Sequence, residues 1–298
     1  MGNKAKTIEE QISLLRSRGM AINDQEKAEE VLLDVGYYRL GFYWFPFEQS
    51  YPEKKNRTHL FKEGTNFDDA VQLYYFDFYL RNILLRYLSR IEINFRTYLS
   101  YVVSNSNKKS PTWFVDPTVV NKAYISSFDK YIYTENFKRN KAIAHHHKMH
   151  INDKYAPAWK TLEFMTLGST IRLFASLNED KLKEQIASHY KINRVPVFEN
   201  YINIILDIRN ACAHGNILYD FSPIKSIRKG PAMMKNVDLN QNLNGALSII
   251  MYLIRQISEN RYNDLKEEIY NLIIKYKHSL VVMDILKNIS GLDAEYYK

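Results

Sequence analysis

Cysteine is almost missing from this chain: Cys212 is the only one among 298 residues. No intramolecular disulfide and no cysteine-built zinc site can therefore form. Glycine (10) and proline (8) are also scarce, which disfavours strand-and-turn architectures and favours long helices. No apolar run approaches the roughly 18 residues that a membrane-crossing helix needs. The N-terminal MGNKAKTIEEQ has no apolar signal region, and Thr7 does not stand where a myristoylation motif places its Ser or Thr. A cytoplasmic protein without membrane attachment is the expectation. Acidic residues are outnumbered by basic ones, 33 to 41, for a net charge of +8 and a pI of about 9.2. That balance points to an acidic partner, RNA or DNA first.

What is present describes an ordinary folded chain. It is 46% hydrophobic and 25% charged, enough for a real core in one large domain or two modest ones. Tyrosine is used 23 times; most of these suit core positions, and some can stack on bases. Thr7-Ile8-Glu9-Glu10 reads as a capping box opening a helix that Gly19 closes, and a second helix begins at Asn23-Asp24. The aromatic block GYYRLGFYWFPF (36–47) is either a packing knuckle or a base-stacking surface with Arg39 among its rings. Residues 1–60 are thus an N-terminal helical and aromatic segment packed on a body of residues 61–298.

From Phe67 to about Ser104 there is no Gly or Pro, and Leu73, Phe76, Leu80, Leu84, Ile91 and Phe95 keep an apolar seam. Thr65 or Asn66 would cap this helix, a spine of about 55 Å at 1.5 Å per residue. Asp77 with Arg81 and Glu92 with Arg96 stand one turn apart, the spacing of helical ion pairs. Arg86 and Arg90 form a basic pair that can extend a phosphate-binding surface. A polar loop at 105–117 carries the anchor Trp113-Phe114. A helical stretch then runs to about His150, a second amphipathic helix from Trp159 to Leu177 holds Gly168, and a short charged helix ends near Tyr190. Helices are expected at 238–259, 261–277 and 281–289. No hairpin signal and no internal repeat appears, so the chain reads as mostly α.

His145-His146-His147 with His150 resembles a metal site, since His146 and His150 are i,i+4. Without an HExxH pattern, and with Asp153 the only carboxylate near, a polar helix face is the better account, and the reading calls for no metal. Arg139-Asn140 followed by His145 repeats the order Arg, Asn, His, but has little apolar periodicity to hold it.

The stretch Phe198–Asp220 (FENYINIILDIRNACAHGNILYD) is different. On a helical wheel Tyr201, Ile204, Ile205, Ile208, Ala211 and Cys212 form one core-facing stripe, and Asn203, Asp207, Asn210 and His214 one polar stripe. Ile202, Leu206 and Ala213 make a second apolar facet with Arg209 at its edge, for which a second copy of the chain is the economical cover. An ideal helix sets Arg209 and His214 roughly 140° apart, so two copies across a two-fold axis focus these groups better than one. A histidine can take the proton of a ribose 2′-hydroxyl, while an arginine stabilises charge on the phosphoryl oxygens and Asn210 orients. The products would be a 2′,3′-cyclic phosphate and a 5′-hydroxyl, with no cofactor. On the residues alone, a satisfied helix-end histidine competes with this chemistry. The following loop, SPIKSIRKGP, adds Lys225, Arg228 and Lys229 as RNA contacts.

At Arg209-Asn210-(x3)-His214 the chain resembles the HEPN superfamily. LLRSRGMAI (14–22), LLDVGYYRLGFYW (32–44), FKEGTNFDDAVQLYYFDFYLRNILL (61–85), RIEINFRT (90–97), PAWKTLEFMTLGS (157–169) and IRNACAHGN (208–216) resemble, in order, the Abi-like abortive-infection family of the AbiD/AbiF type. The resemblance implies an all-α HEPN-type helical bundle with a long spine helix and added N- and C-terminal helices. It also implies anti-phage defence by a dimeric, metal-independent endoribonuclease and an associated small non-coding RNA. By motif, Arg209, Asn210 and His214 become the active site, and Asp77, Arg81, Glu92 and Arg96 match recurrent polar positions of the family. The alternatives are a non-catalytic protein that grips a small non-coding RNA, and a structural dimer whose polar stripe is a buried network.

Overall fold

The first helix forms where its capping residues predict it. In the computed structural model, which describes residues 4–233 and 241–298, α1 (Ile8–Ser17) starts with the Thr7 hydroxyl accepting from the Glu10 amide. The Glu10 carboxylate accepts from the Thr7 amide at 2.9 Å, completing the box. Helix α2 (Gln25–Asp34) begins on the Asp24 carboxylate, which accepts from Lys27 N at 3.0 Å. In the aromatic block, α3 (Tyr37–Tyr43) and a 3-10 turn bury Leu40, Tyr43, Trp44, Phe45 and Phe47. The block is a packing knuckle; Tyr38 and Phe42 alone of its rings stay exposed.

Helix α4 (Phe67–Ser106) runs 40 residues, about 60 Å. Asn66 is the side chain at its start, accepting from Asp68 N at 3.1 Å, whereas the Thr65 hydroxyl donates to Lys62 O. Leu73, Phe76, Leu80, Leu84, Leu88, Ile91, Phe95 and Leu99 are wholly buried along one seam.

Two expected helices are broken. The stretch toward His150 is three helices, α5 (Lys122–Tyr131), α6 (Glu135–Lys138) and α7 (Lys141–Met149). The Thr134 hydroxyl accepts from Phe137 N and restarts the chain at α6, and Asn140 turns it again. The Trp159–Leu177 helix is divided into α8 (Ala158–Thr161) with a 3-10 turn at Leu162–Phe164, and α9 (Leu167–Ala175). Met165 is extended (ψ 142°), and the Thr166 hydroxyl caps α9 through Ser169 N at 3.2 Å. A threonine offering its oxygen to the amide three residues on competes with a continuous helix.

Helix α10 (Asp180–His189) follows, then α11 (Val195–Ala213) with Pro196 in its first turn. Helix α12 (Leu243–Ile257) begins on the Asn242 side chain. Its expected start near residue 238 lies outside the described residues. Helices α13 (Glu259–Lys275) and α14 (Leu280–Asn288) lie within two residues of expectation. Among the described residues only isolated β-bridges occur and no strand, so the fold is all-α around a long helix.

The chain divides into two compact units. One comprises Met1–Ile83, His214–Phe221 and Glu267–Lys298; the other comprises Leu84–Ala213 and Ser222–Lys266. In the first, Phe76 meets Tyr276 edge-on at 5.6 Å, and Tyr43 lies against Tyr74 and Tyr219. In the second, Phe95, Phe174, Phe198 and Tyr190 form one cluster, the last two stacked at 5.2 Å. Helix α11 packs there on α9, α10 and α12.

Candidate functional site

The C-terminal part of α11 carries Arg209 and Asn210 in the second unit. The core stripe read from the wheel is buried at every position, Tyr201, Ile204, Ile205, Ile208, Ala211 and Cys212. The second apolar facet is covered largely by this chain itself: Ile202 is buried and Leu206 is half-buried against Gly168 of α9. Only Ala213 of that facet is exposed. A Cβ at Gly168 would stand 3.5 Å from the Leu206 side chain, an ordinary contact, so close packing does not require a glycine there. On the polar stripe, Asn203 donates to Glu199 O, and Asp207 accepts from Ile224 N at 3.3 Å. Burial pushes the Asp207 carboxyl up.

Arg209 keeps 38% of its side chain exposed and stands with Nε 3.7 Å from Glu92 Oε2 on α4. Its Nη1 donates to the Asn210 side-chain oxygen at 3.3 Å. Glu92 is therefore shared, because Arg96 Nη2 donates to its Oε1 at 2.8 Å and also to the Met165 carbonyl at 3.0 Å. The i,i+4 spacing identified the Glu92–Arg96 pair. It held no signal for Arg209, which is remote in sequence.

His214 opens the His214–Phe221 segment of the first unit and is exposed. The next residue, Gly215, has φ +67°, the left-handed conformation that ends helices and that other residues adopt at a cost. The backbone beyond it is clamped. Arg39 Nη1 donates to the Gly215 carbonyl at 2.6 Å, and Arg81 Nη1 donates to the Asn216 carbonyl at 3.2 Å and to the Tyr43 hydroxyl at 3.1 Å. Asp77, wholly buried, accepts from Leu218 N at 2.6 Å and from Tyr219 N at 3.0 Å. Below these, the Tyr219 hydroxyl donates to Phe42 O, and the Ser290 hydroxyl donates to Tyr219 O, both at 2.7 Å.

Asp77 and Arg81 lie 3.8 Å apart, farther than Asp77 lies from the Leu218 and Tyr219 amides or Arg81 from the Tyr43 hydroxyl and the Asn216 carbonyl. Burial pushes the Asp77 carboxyl up to about 7, against the pull of the two amides and the Arg81 guanidinium. Arg39, read as a member of an aromatic block, belongs to this clamp. No spacing could have shown that.

The other candidates are dispersed. Arg86 is exposed, 5.6 Å above the Tyr87 ring. Arg90 is half-buried, with its Nε enclosed and without a hydrogen-bond partner. Lys225, Arg228 and Lys229 are exposed on the loop after Phe221. That loop is tied to α11 by Asn200, which donates to Ser226 O at 3.0 Å and accepts from Arg228 N at 2.8 Å.

Arg139 ends α6 and His145 stands on α7, both exposed, so the second Arg-Asn-His run is divided between two helices. His146 is buried, 3.1 Å from the Asp153 carboxylate and stacked on His150, and burial lowers its pKa. Among the described residues no group of three or more His, Cys, Asp or Glu is arranged to hold a metal ion. None of their helices is long and apolar enough to cross a membrane.

Comparison with curated proteins finds no match, and neither does comparison with solved structures. The family model described as Abi-like protein matches residues 30–220. That span takes in α4, Glu92, Arg96, the α11 motif and the clamped segment after His214, and it ends before α12. More than half of the chain falls within the match, and the chain belongs to the Abi-like family of abortive-infection proteins.

Proposed function

We propose that this protein is a metal-independent endoribonuclease of the HEPN type, acting as a homodimer in anti-phage abortive infection. The observation that carries the reading is the Arg209-Asn210-(x3)-His214 motif, which stands at a helix end inside the family-matched span. Its histidine is exposed and its arginine partly so. A core histidine satisfied by its neighbours would be buried.

In this mechanism His214 takes the proton from a ribose 2′-hydroxyl, and the oxygen attacks the adjacent phosphorus. The bond from phosphorus to the 5′-oxygen breaks, and an imidazolium returns a proton to that leaving oxygen. Arg209 neutralises charge on the non-bridging oxygens, and Asn210, accepting from Arg209, helps hold it. The dimer rests on the family resemblance and on the roughly 140° between positions 209 and 214 on a helix. Two copies would supply one imidazole as base and one as acid. The test is incubation of single-stranded RNA in EDTA with analysis of the ends. A 2′,3′-cyclic phosphate and a 5′-hydroxyl are expected, and intact RNA sinks the proposal.

The exposed basic loop favours a second function, the gripping of a small non-coding RNA. Replacing Lys225, Arg228 and Lys229 together by glutamine is expected to lower the slope of log affinity against log salt by about 2, each phosphate contact contributing about 0.7 on single strands. Fluorescence titration at several salt concentrations measures it, and an unchanged slope removes the loop from the RNA surface.

A further inference from the structure

The short helix α8 turns one large ring outward. It is tied down at its start, where Ala158 N donates to the Pro111 carbonyl at 2.8 Å. At its end the Thr161 hydroxyl donates to the Ala156 carbonyl, also at 2.8 Å. Ala156, Ala158, Thr161 and Leu162 are buried, and position 159 faces away from them. The chain has three tryptophans. Trp44 and Trp113 are 3% and 0% exposed, whereas Trp159 is 57% exposed, and among the described residues its indole has no hydrogen bond and no ring contact. Tryptophan is highly buried on average. An indole left open is a platform on which a base can stack.

The surroundings narrow the ligand. The bond from Ala158 to Pro111 sets α8 beside the polar loop that carries Lys108 and Lys109, both exposed. Burial first, and then the charges of His150 and Lys160, lower the His146 pKa, so Lys160 and the exposed His150 border the same turn. Glu163 is its carboxylate, and three lysines against it leave this surface net positive. An apolar peptide would cover the indole and leave the lysines uncompensated. Single-stranded RNA satisfies both, its bases stacking on the ring and its phosphates meeting the cations. The turn lies in the unit that also carries Arg209.

We propose that Trp159 is a base-stacking platform for single-stranded RNA, with Lys108, Lys109 and Lys160 meeting the flanking phosphates. This rests on the reading of RNA as the substrate. The test uses the full chain with His214→Ala, so that the strand stays intact. Fluorescence anisotropy follows binding of a labelled RNA of about 12 nucleotides, and of a ribose-phosphate strand of that length without bases. Adding Trp159→Ala is expected to weaken RNA binding roughly 5- to 150-fold, the effect of losing one stacked base, and to leave binding of the base-free strand unchanged. The slope of log affinity against log salt should stay the same, because no phosphate contact is lost. Lys108→Gln with Lys109→Gln should lower that slope by about 1.4. Trp159→Phe, which keeps a ring, should recover part of the affinity. RNA should quench the intrinsic fluorescence of the exposed indole, and Trp159→Phe should remove the quench.

Equal RNA affinity with and without Trp159→Ala overturns the proposal and leaves the cleavage reading standing. So does an equal loss on the base-free strand, a loss that only follows a fall in melting temperature, or an unchanged salt slope in the lysine pair. A chain that binds neither strand overturns both the platform and the RNA reading. RNA binding governed by Trp159, beside a wild type that does not cleave, upholds the platform and rejects the ribonuclease alone.

Discussion

His214→Ala is expected to reduce RNA cleavage by about 10²- to 10⁴-fold, the range that a general acid–base group contributes, while leaving the fold intact. The second half of that expectation follows from the structure. The imidazole is exposed, and the segment after it is held through backbone carbonyls and amides by Arg39, Arg81 and Asp77. Removing the ring leaves each of those bonds in place, so the stability change should stay within about 0.5 kcal/mol, as for an ordinary surface substitution. Cleavage assays and urea unfolding on one preparation measure both quantities. Undiminished cleavage would reject His214 as the proton-transfer group. A large stability loss without any effect on RNA would favour a structural network.

Asp77→Leu is expected to be the most destabilising single change in the clamp. It keeps the forked shape of the side chain but leaves the Leu218 and Tyr219 amides without an acceptor and Arg81 without its carboxylate. Breaking a buried pair of this kind costs about 3–5 kcal/mol, read from the urea midpoint at constant m. Asp77→Asn should cost less, since its carbonyl can still accept from one amide.

The pH dependence has a definite sign. Burial raises the folded carboxyl from its ordinary 3.8 to about 7, so between those values the folded chain binds more protons than the unfolded one. Stability from this group is then full below about pH 4 and is lost as pH rises toward 7. Asp77→Asn should flatten that part of the stability profile, and a profile identical to wild type would show that Asp77 is ionised throughout. Cleavage by Asp77→Asn tests the link to His214, which opens the segment that Asp77 holds through Leu218 and Tyr219.

The parts of the fold written in local chemistry were legible. The Thr7–Glu10 box, the Asp24 cap and the Gly- and Pro-free run of α4 each act within a few residues, and the structure shows each where the residues put it. The buried stripe of α11 was legible for the same reason. The breaks at Thr134 and Thr166 were not, because a threonine in an apolar-periodic run looks the same whether it caps or continues a helix. Site architecture was the least legible part. Spacing on α4 paired Asp77 with Arg81 and Glu92 with Arg96. It held no information about Leu218 and Tyr219, the Met165 carbonyl or Arg209, which tertiary packing alone brings to them.

The clamp also bears on the order in which the chain becomes competent. Arg39 is 176 residues from Gly215, Arg81 is 135 from Asn216, and Asp77 is 141 from Leu218. Bonds over such separations form only after much of the intervening chain has been ordered. During synthesis from the N-terminus, the residues that receive this segment therefore leave the ribosome long before the segment does. A translation product that stops within α11 holds Arg39, Asp77 and Arg81 ready and has nothing for them to seat.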